Sequence, residues 1–138
     1  SHDPGKRVFF PPTPVGNAMA VAALAKAANA YRSQDLGFSV ACLRQAQQGW
    51  EALQRESSVF STLEAPEATA DAPYPDTANP TAHRLWAAVE LYRATGNPAY
   101  GDHVKAWQPQ TQAEAFRWDN PTLHAYANYL LALPAPLQ

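Results

Sequence analysis

Three Asn-Pro pairs punctuate the second half of this chain: Asn79-Pro80, Asn97-Pro98 and Asn120-Pro121. An asparagine at a helix cap offers its side-chain oxygen to the free N–H groups of the first turn. A proline just inside needs no donor there and holds φ near its helical value. Each pair therefore reads as a helix start, and Thr13-Pro14 has the same form. No run of alternating β-branched residues competes with these signals, so the fold class expected is all-α.

The elements follow from those starts. A first helix runs to about Arg32 and carries alanine at positions 18, 20, 22, 23, 25, 27, 28 and 30. Alanine loses no side-chain entropy in a helix, and small residues all round let neighbours approach on more than one side. After the short link Ser33-Gln34, a second helix is expected from Leu36 to about Gln54, capped by Asp35. Val40, Leu43, Trp50 and Leu53 share its apolar face; Arg44, Gln45, Gln48 and Glu51 oppose them. The short link predicts an antiparallel hairpin. The three Asn-Pro starts give helices over Thr81–Thr95, Ala99 to about Trp107, and Thr122–Leu133. Gly96 closes the first of these and Pro134 stops the last. The apolar stripe expected on the first is Leu85, Val89 and Tyr92, flanked by Trp86. On the last it is Leu123, Ala127, Leu130 and Leu131. The chain thus reads as a single helical region over residues 1–138, made of antiparallel helical hairpins. It has an extended arm at 1–14 (with Val8-Phe9-Phe10), a long loop at 57–79 and an irregular link at 108–119. No motif recurs at a fixed period, which argues against a regular helical repeat.

Several function classes drop out. Ten Lys and Arg against twelve Asp and Glu give a net charge of −2, so no basic surface for nucleic acid is expected. No stretch reaches about 18 uninterrupted apolar residues, so no membrane span is expected. Hydrophobic residues at 46% argue against general disorder. The lone cysteine, Cys42, gives neither a disulfide framework nor a cysteine zinc site and reads as a buried inert thiol. The six scattered glycines form no phosphate loop, and no Gly-x-Ser-x-Gly elbow is present. His83, His103 and His124 lack the spacing of one helix face and read as scattered surface residues, so no metal is expected. Glu90/Arg93, Asp102/Lys105 and Glu51/Arg55 read as exposed helical ion pairs.

The sequence also resembles a known family. Arg7-Val8-Phe9-Phe10-Pro11-Pro12, leading into a helix that ends Ala27-Ala28-Asn29-Ala30-Tyr31, is similar to a stretch of glycoside hydrolase family 9. Ala41-Cys42-Leu43 with Ala46 and Trp50 resembles that family's next helix. Leu85-Trp86-Ala87-Ala88-Val89-Glu90-Leu91-Tyr92-Arg93-Ala94-Thr95-Gly96-Asn97-Pro98-Ala99-Tyr100 resembles its "WAAAELYLATGDPAY". Phe116-Arg117-Trp118-Asp119 resembles its "F-x-W" segment. The four stretches follow the family's order along nearly the whole chain.

The resemblance implies part of an (α/α)6 toroid from an endoglucanase or cellulase-type catalytic domain, a central fragment of it, whose partner is a β-1,4-glucan-type oligo- or polysaccharide. Inverting hydrolysis there needs an acid and a base carboxylate about 6.5–9.5 Å apart. The family's base motif, "DAGD", lies upstream of the matched region and its acid glutamate near the end of the full domain. Neither occurs here, so no catalytic residue is assigned and the chain alone is expected to be inactive. By the same resemblance Trp118 would stack on a sugar ring, while Tyr74 and Asp76, with Thr77, would help line the cleft. The competing readings are a core tryptophan and a turn aspartate. Calcium-binding members carry an Asp-Glu pair where this chain has Ala82-His83, so neither calcium nor any other cofactor is expected. The family is usually secreted or periplasmic; no charged-then-apolar leader stands in this sequence. An incomplete toroid would expose apolar surface and favour self-association into a homo-oligomer. The alternatives are a self-standing α-helical protein-interaction module and, more weakly, a small enzyme using Asp71, Asp76 and Trp118.

Overall fold

A computed structural model describes residues 14–56, 80–107 and 121–133, and the described residues form five helices and no strand. They are α1 (Pro14–Tyr31), α2 (Leu36–Glu56), α3 (Pro80–Thr95), α4 (Pro98–Trp107) and α5 (Thr122–Ala132). The arm, the 57–79 loop, the 108–119 link and the caps Thr13, Asn79 and Asn120 lie outside the described residues.

The expected local signals operate where they can be seen. Asp35 Oδ1 accepts the Phe38 N–H at 2.9 Å and starts α2. Asn97 Oδ1 accepts the Ala99 N–H at 3.0 Å and starts α4. Gly96 takes φ 69° and donates its N–H to Tyr92 O at 2.7 Å, which ends α3. That conformation costs an L side chain strain that glycine does not meet. At α5, Pro121 occupies the cap position itself, and its carbonyl accepts the Ala125 N–H at 2.8 Å.

Contacts fix the helix directions. Asn17 Nδ2 donates to Gly49 O at 3.5 Å, and Ser39 Oγ donates to Ala28 O at 2.6 Å. The start of α1 therefore meets the end of α2, and the hairpin is antiparallel as expected. Arg32, just beyond α1, donates from its guanidinium to Ala94 O near the end of α3, so α1 and α3 run parallel. Along α3 and α5 the pairs Trp86–His124, Glu90–Asn128 and Tyr92–Tyr129 advance together, so α5 is parallel as well. The two-residue Gly96-Asn97 turn sends α4 back along α3. The parallel helices α1, α3 and α5 form one layer, and α2 and α4 run the opposite way behind it. This is an all-α array of antiparallel hairpins, consistent with a segment of an (α/α) toroid.

The core lies around α3. Ala18, Val21, Ala22 and Ala25 of α1, Ala46, Trp50 and Leu53 of α2, Leu85, Ala87, Ala88, Val89 and Leu91 of α3, Val104 of α4 and Ala125 of α5 pack together. Alanine allows the close approach. Gly49 goes further: a Cβ there would lie 2.7 Å from Val21 Cγ2.

Two apolar faces differ from expectation. Val40 is exposed, because the α1 contact is made by its neighbour Ser39 through a hydrogen bond. On α5 the buried residues are Thr122, Ala125 and Asn128, whereas Leu123, Ala127, Leu130 and Leu131 face outward. Small residues on the buried side let α5 settle closely on α3, and none of the other four described helices covers the leucines.

Candidate functional site at one end of the helical array

The directions above bring the N-terminal ends of α1, α3 and α5 and the C-terminal ends of α2 and α4 to the same end of the array. Two of the segments leading into that end carry the expected site residues: Tyr74 and Asp76 precede α3, and Trp118 precedes α5. All three lie outside the described residues, as do Asp71 and Thr77.

Toward this end the described residues form a hollow of about 500 Å³ lined by Trp50, Glu51, Gln54, Arg55 and His103. Trp50 is anchored in the core and 7% exposed. It meets three rings of α4 nearly edge-on or tilted: Tyr100 at 5.7 Å, His103 at 5.2 Å and Trp107 at 5.9 Å. His103 is itself tilted against Trp107 at 5.2 Å. Gln54 Nε2 lies 3.4 Å from His103 Nε2, which ties the last turns of α2 to α4. The sequence pattern correctly places Trp50 in a core face. It gives no sign of the hollow, which needs residues of α2 and α4 brought together.

A different constellation links α1, α3 and α5. The Glu90 carboxylate is fully buried. It accepts from Asn128 Nδ2 at 2.6 Å and Trp86 Nε1 at 3.2 Å, and pairs with Arg93 Nη1 at 3.5 Å. Asn128 Nδ2 also reaches His124 Nε2 at 3.0 Å, and Lys26 Nζ lies 3.4 Å from the same nitrogen. This corrects the reading of Glu90/Arg93 as a solvated pair: α3 is covered on every side, and the carboxylate is retained because donors surround it. His83 is likewise buried, at 4% exposure, and is no surface histidine. Asp102 and Lys105 do form an exposed pair, at 3.8 Å. Cys42 is buried.

Asp35 caps α2, Asp102 faces Lys105, Glu51 stands at the rim of the hollow, and Glu90 is sealed from solvent. Among the described residues no group of three or more His, Cys, Asp or Glu could hold a metal ion, and no helix is long and apolar enough to cross a membrane.

The family model described as "Glycosyl hydrolase family 9" matches residues 7–135. The chain belongs to glycosyl hydrolase family 9. No curated protein and no solved structure matches it. The stretch that most resembles the family, Leu85 to Tyr100, now has a physical account. It is α3, its Gly96 turn and the start of α4. Its Trp86, Glu90 and Tyr92 hold α5, and its Ala87, Ala88, Val89 and Leu91 fill the core. That stretch lies at the centre of the described fold.

Proposed function

We propose that this chain is the central part of a family 9 catalytic domain that, in the complete protein, hydrolyses a β-1,4-glucan-type polysaccharide with inversion, and that the chain alone is inactive. The observation that carries the reading is the family match over residues 7–135. Inactivity of the isolated chain is supported by the absence of the family's "DAGD" base motif and by the engagement of Asp35 in a cap, of Asp102 in an ion pair and of Glu90 in a buried cluster. The outward leucines of α5 suit a face that further helices of a toroid would cover.

Within that reading Trp118, Asp76 and Tyr74 contact the glucan. Chain length supports their grouping. Trp118 stands four residues before Thr122 and Asp76 four before Pro80, a reach of at most about 14 Å each; Tyr74 has a reach of about 20 Å. Packed helices stand about 8–10 Å apart, so all three can serve one cleft at the shared end of α3 and α5. An indole face suits the C–H face of a pyranose, and a carboxylate suits its hydroxyls.

The test is hydrolysis of cellotetraose by the chain alone and by the chain extended to a complete family 9 domain. The expected result is no new reducing ends from the chain alone, and products from the extended protein whose first-formed anomer, by proton NMR, is α. Turnover by the chain alone overturns its inactivity, and a β-anomer overturns inversion.

A further inference from the structure

The hollow between α2 and α4 is suited to aromatic side chains. Trp50 and His103 line it with their rings crossed at 76° and 5.2 Å apart, and His103 also packs against Trp107. Glu51, Gln54 and Arg55 complete the lining. The acid and the base stand four apart on α2, so the rim carries no net charge. Long side chains of this kind lay their methylene stems along apolar surface and keep their polar heads in water. Crossed rings offer no flat platform. A phenyl ring needs none, because edge-to-face packing is a preferred arrangement of aromatic pairs. The volume of about 500 Å³ leaves room for such rings.

The chain brings two phenyl rings to this place. Val8-Phe9-Phe10 precedes α1, and the first turn of α1 lies beside the hollow. Asn17 Nδ2 donates to the carbonyl of Gly49, the neighbour of Trp50, at 3.5 Å. Pro14 is three residues earlier, about 4.5 Å along the helix axis. From Pro14 the chain runs back through Pro12 and Pro11, whose rings fix φ and favour an extended path of about 3.1 Å per residue. Phe10 and Phe9 stand four and five residues before Pro14, so that path carries them about 12 and 16 Å. Packed helices stand about 8–10 Å apart, so the step across the end of α2 to the hollow is within reach of both.

We propose that the hollow is the docking site of this chain's own arm, and that Val8-Phe9-Phe10 packs there with a phenyl ring against Trp50 and His103. The ring covers indole and imidazole surface that water otherwise meets, and that burial is the driving force. The arm then joins α2 to α4 and fixes one border of the end where the segments preceding α3 and α5 enter. The docking does not depend on which polysaccharide the complete domain takes.

A double-mutant cycle in urea tests the contact. Phe9→Ala with Phe10→Ala is expected to lower the unfolding midpoint by about 1 M, the worth of one buried phenyl ring. His103→Ala lowers it as well, and the three changes together cost less than the sum of the two shifts. An unchanged midpoint in the arm variant, or strictly additive shifts, overturns the proposal. Phe60 lies four residues beyond Glu56 at the end of α2 and has the same reach. Coupling of Phe60→Ala, rather than of the arm variant, to His103→Ala gives the hollow to the segment after α2 and overturns the proposal too. A cross-link identifies whose arm is bound. Gln54 is exposed and Cys42 is buried, so mild oxidation of Phe10→Cys with Gln54→Cys is expected to close a disulfide within one chain. A link between two chains, or none, overturns the proposal.

Discussion

The Asn128 side-chain amide on α5 donates to the buried Glu90 carboxylate on α3 at 2.6 Å. Neither residue stands alone. Trp86 Nε1 donates to the same carboxylate oxygen, Arg93 pairs with the other, and Asn128 reaches on to His124. A carboxylate with no solvent contact is tolerated only while its donors remain, so this cluster fixes how α5 sits on α3.

Removing either partner of that bond is therefore costly. Asn128→Leu leaves a buried carboxylate without its shortest donor, and Glu90→Ala takes the shared acceptor from the Trp86 indole N–H and the Asn128 amide and leaves a cavity between them. Each is expected to lose about 3 kcal/mol or more. Glu90→Gln keeps the shape and the oxygen that Trp86 and Asn128 share but turns an NH2 toward the Arg93 guanidinium, and is expected to cost less than either, about 1–3 kcal/mol. Urea unfolding followed by circular dichroism ranks the three. An Asn128→Leu midpoint at the wild-type value would show that the cluster contributes nothing to stability.

Gly96→Ala isolates backbone strain. The glycine sits at φ 69°, and a Cβ there would meet nothing within 4 Å. The whole cost is conformational, about 1–2 kcal/mol, and Gly96→Asn should cost less because asparagine visits this region more readily. Thermal unfolding of the two variants checks the order. Equal melting temperatures for alanine and wild type would exclude the left-handed helix end.

How far the residues foretold this arrangement depends on whether a signal is local. Asp35 and Asn97 cap as expected because an oxygen two or three residues before an N–H is a local relation. Gly96 ends α3 for the same reason. The parts that escaped are relations between distant elements. A Glu-Arg spacing of three reads as a solvated pair unless it is known that α5 covers it, and Asn128 lies 38 residues away. The leucines of α5 reveal an apolar face but not whether anything packs on it; the face that meets α3 uses Thr122, Ala125 and Asn128. The hollow at Trp50 joins Gln54 to His103 across 49 residues. Tyr74, Asp76 and Trp118 lie outside the described residues, so the cleft itself rests on the family resemblance.

Gly49→Ala tests the approach of α2 to α1. Alanine gains about 1 kcal/mol of helix propensity over glycine, but its Cβ would lie 2.7 Å from Val21 Cγ2, a stiff and buried side chain. Overpacking of this kind costs about 1–3 kcal/mol, so a net loss of up to about 2 kcal/mol is expected. Gly37→Ala is the contrast: it is exposed, its nearest contact is Asp35 Oδ1 at 3.5 Å, and it should be neutral or stabilising. Val21→Ala in the Gly49→Ala background should recover part of the loss. A double-mutant cycle in urea measures that coupling, and additivity would show that the two side chains do not meet.

The outward face of α5 governs behaviour in solution. Leu130 is 68% exposed and Leu131 77%, with Leu123 and Leu133 beside them at 41% and 39%. Burying one such leucine is worth about 1.5–3 kcal/mol, so an uncovered stripe of four favours association. The isolated chain is expected to show a concentration-dependent mass above the monomer in light scattering and to bind a hydrophobic dye. Leu130→Lys with Leu131→Lys should return the monomer and remove most of the dye signal. The fold should survive, because neither leucine belongs to the core around α3. A dye-negative monomer in the wild type would mean that this face is already covered, and would favour a self-contained helical module over a segment of a larger toroid.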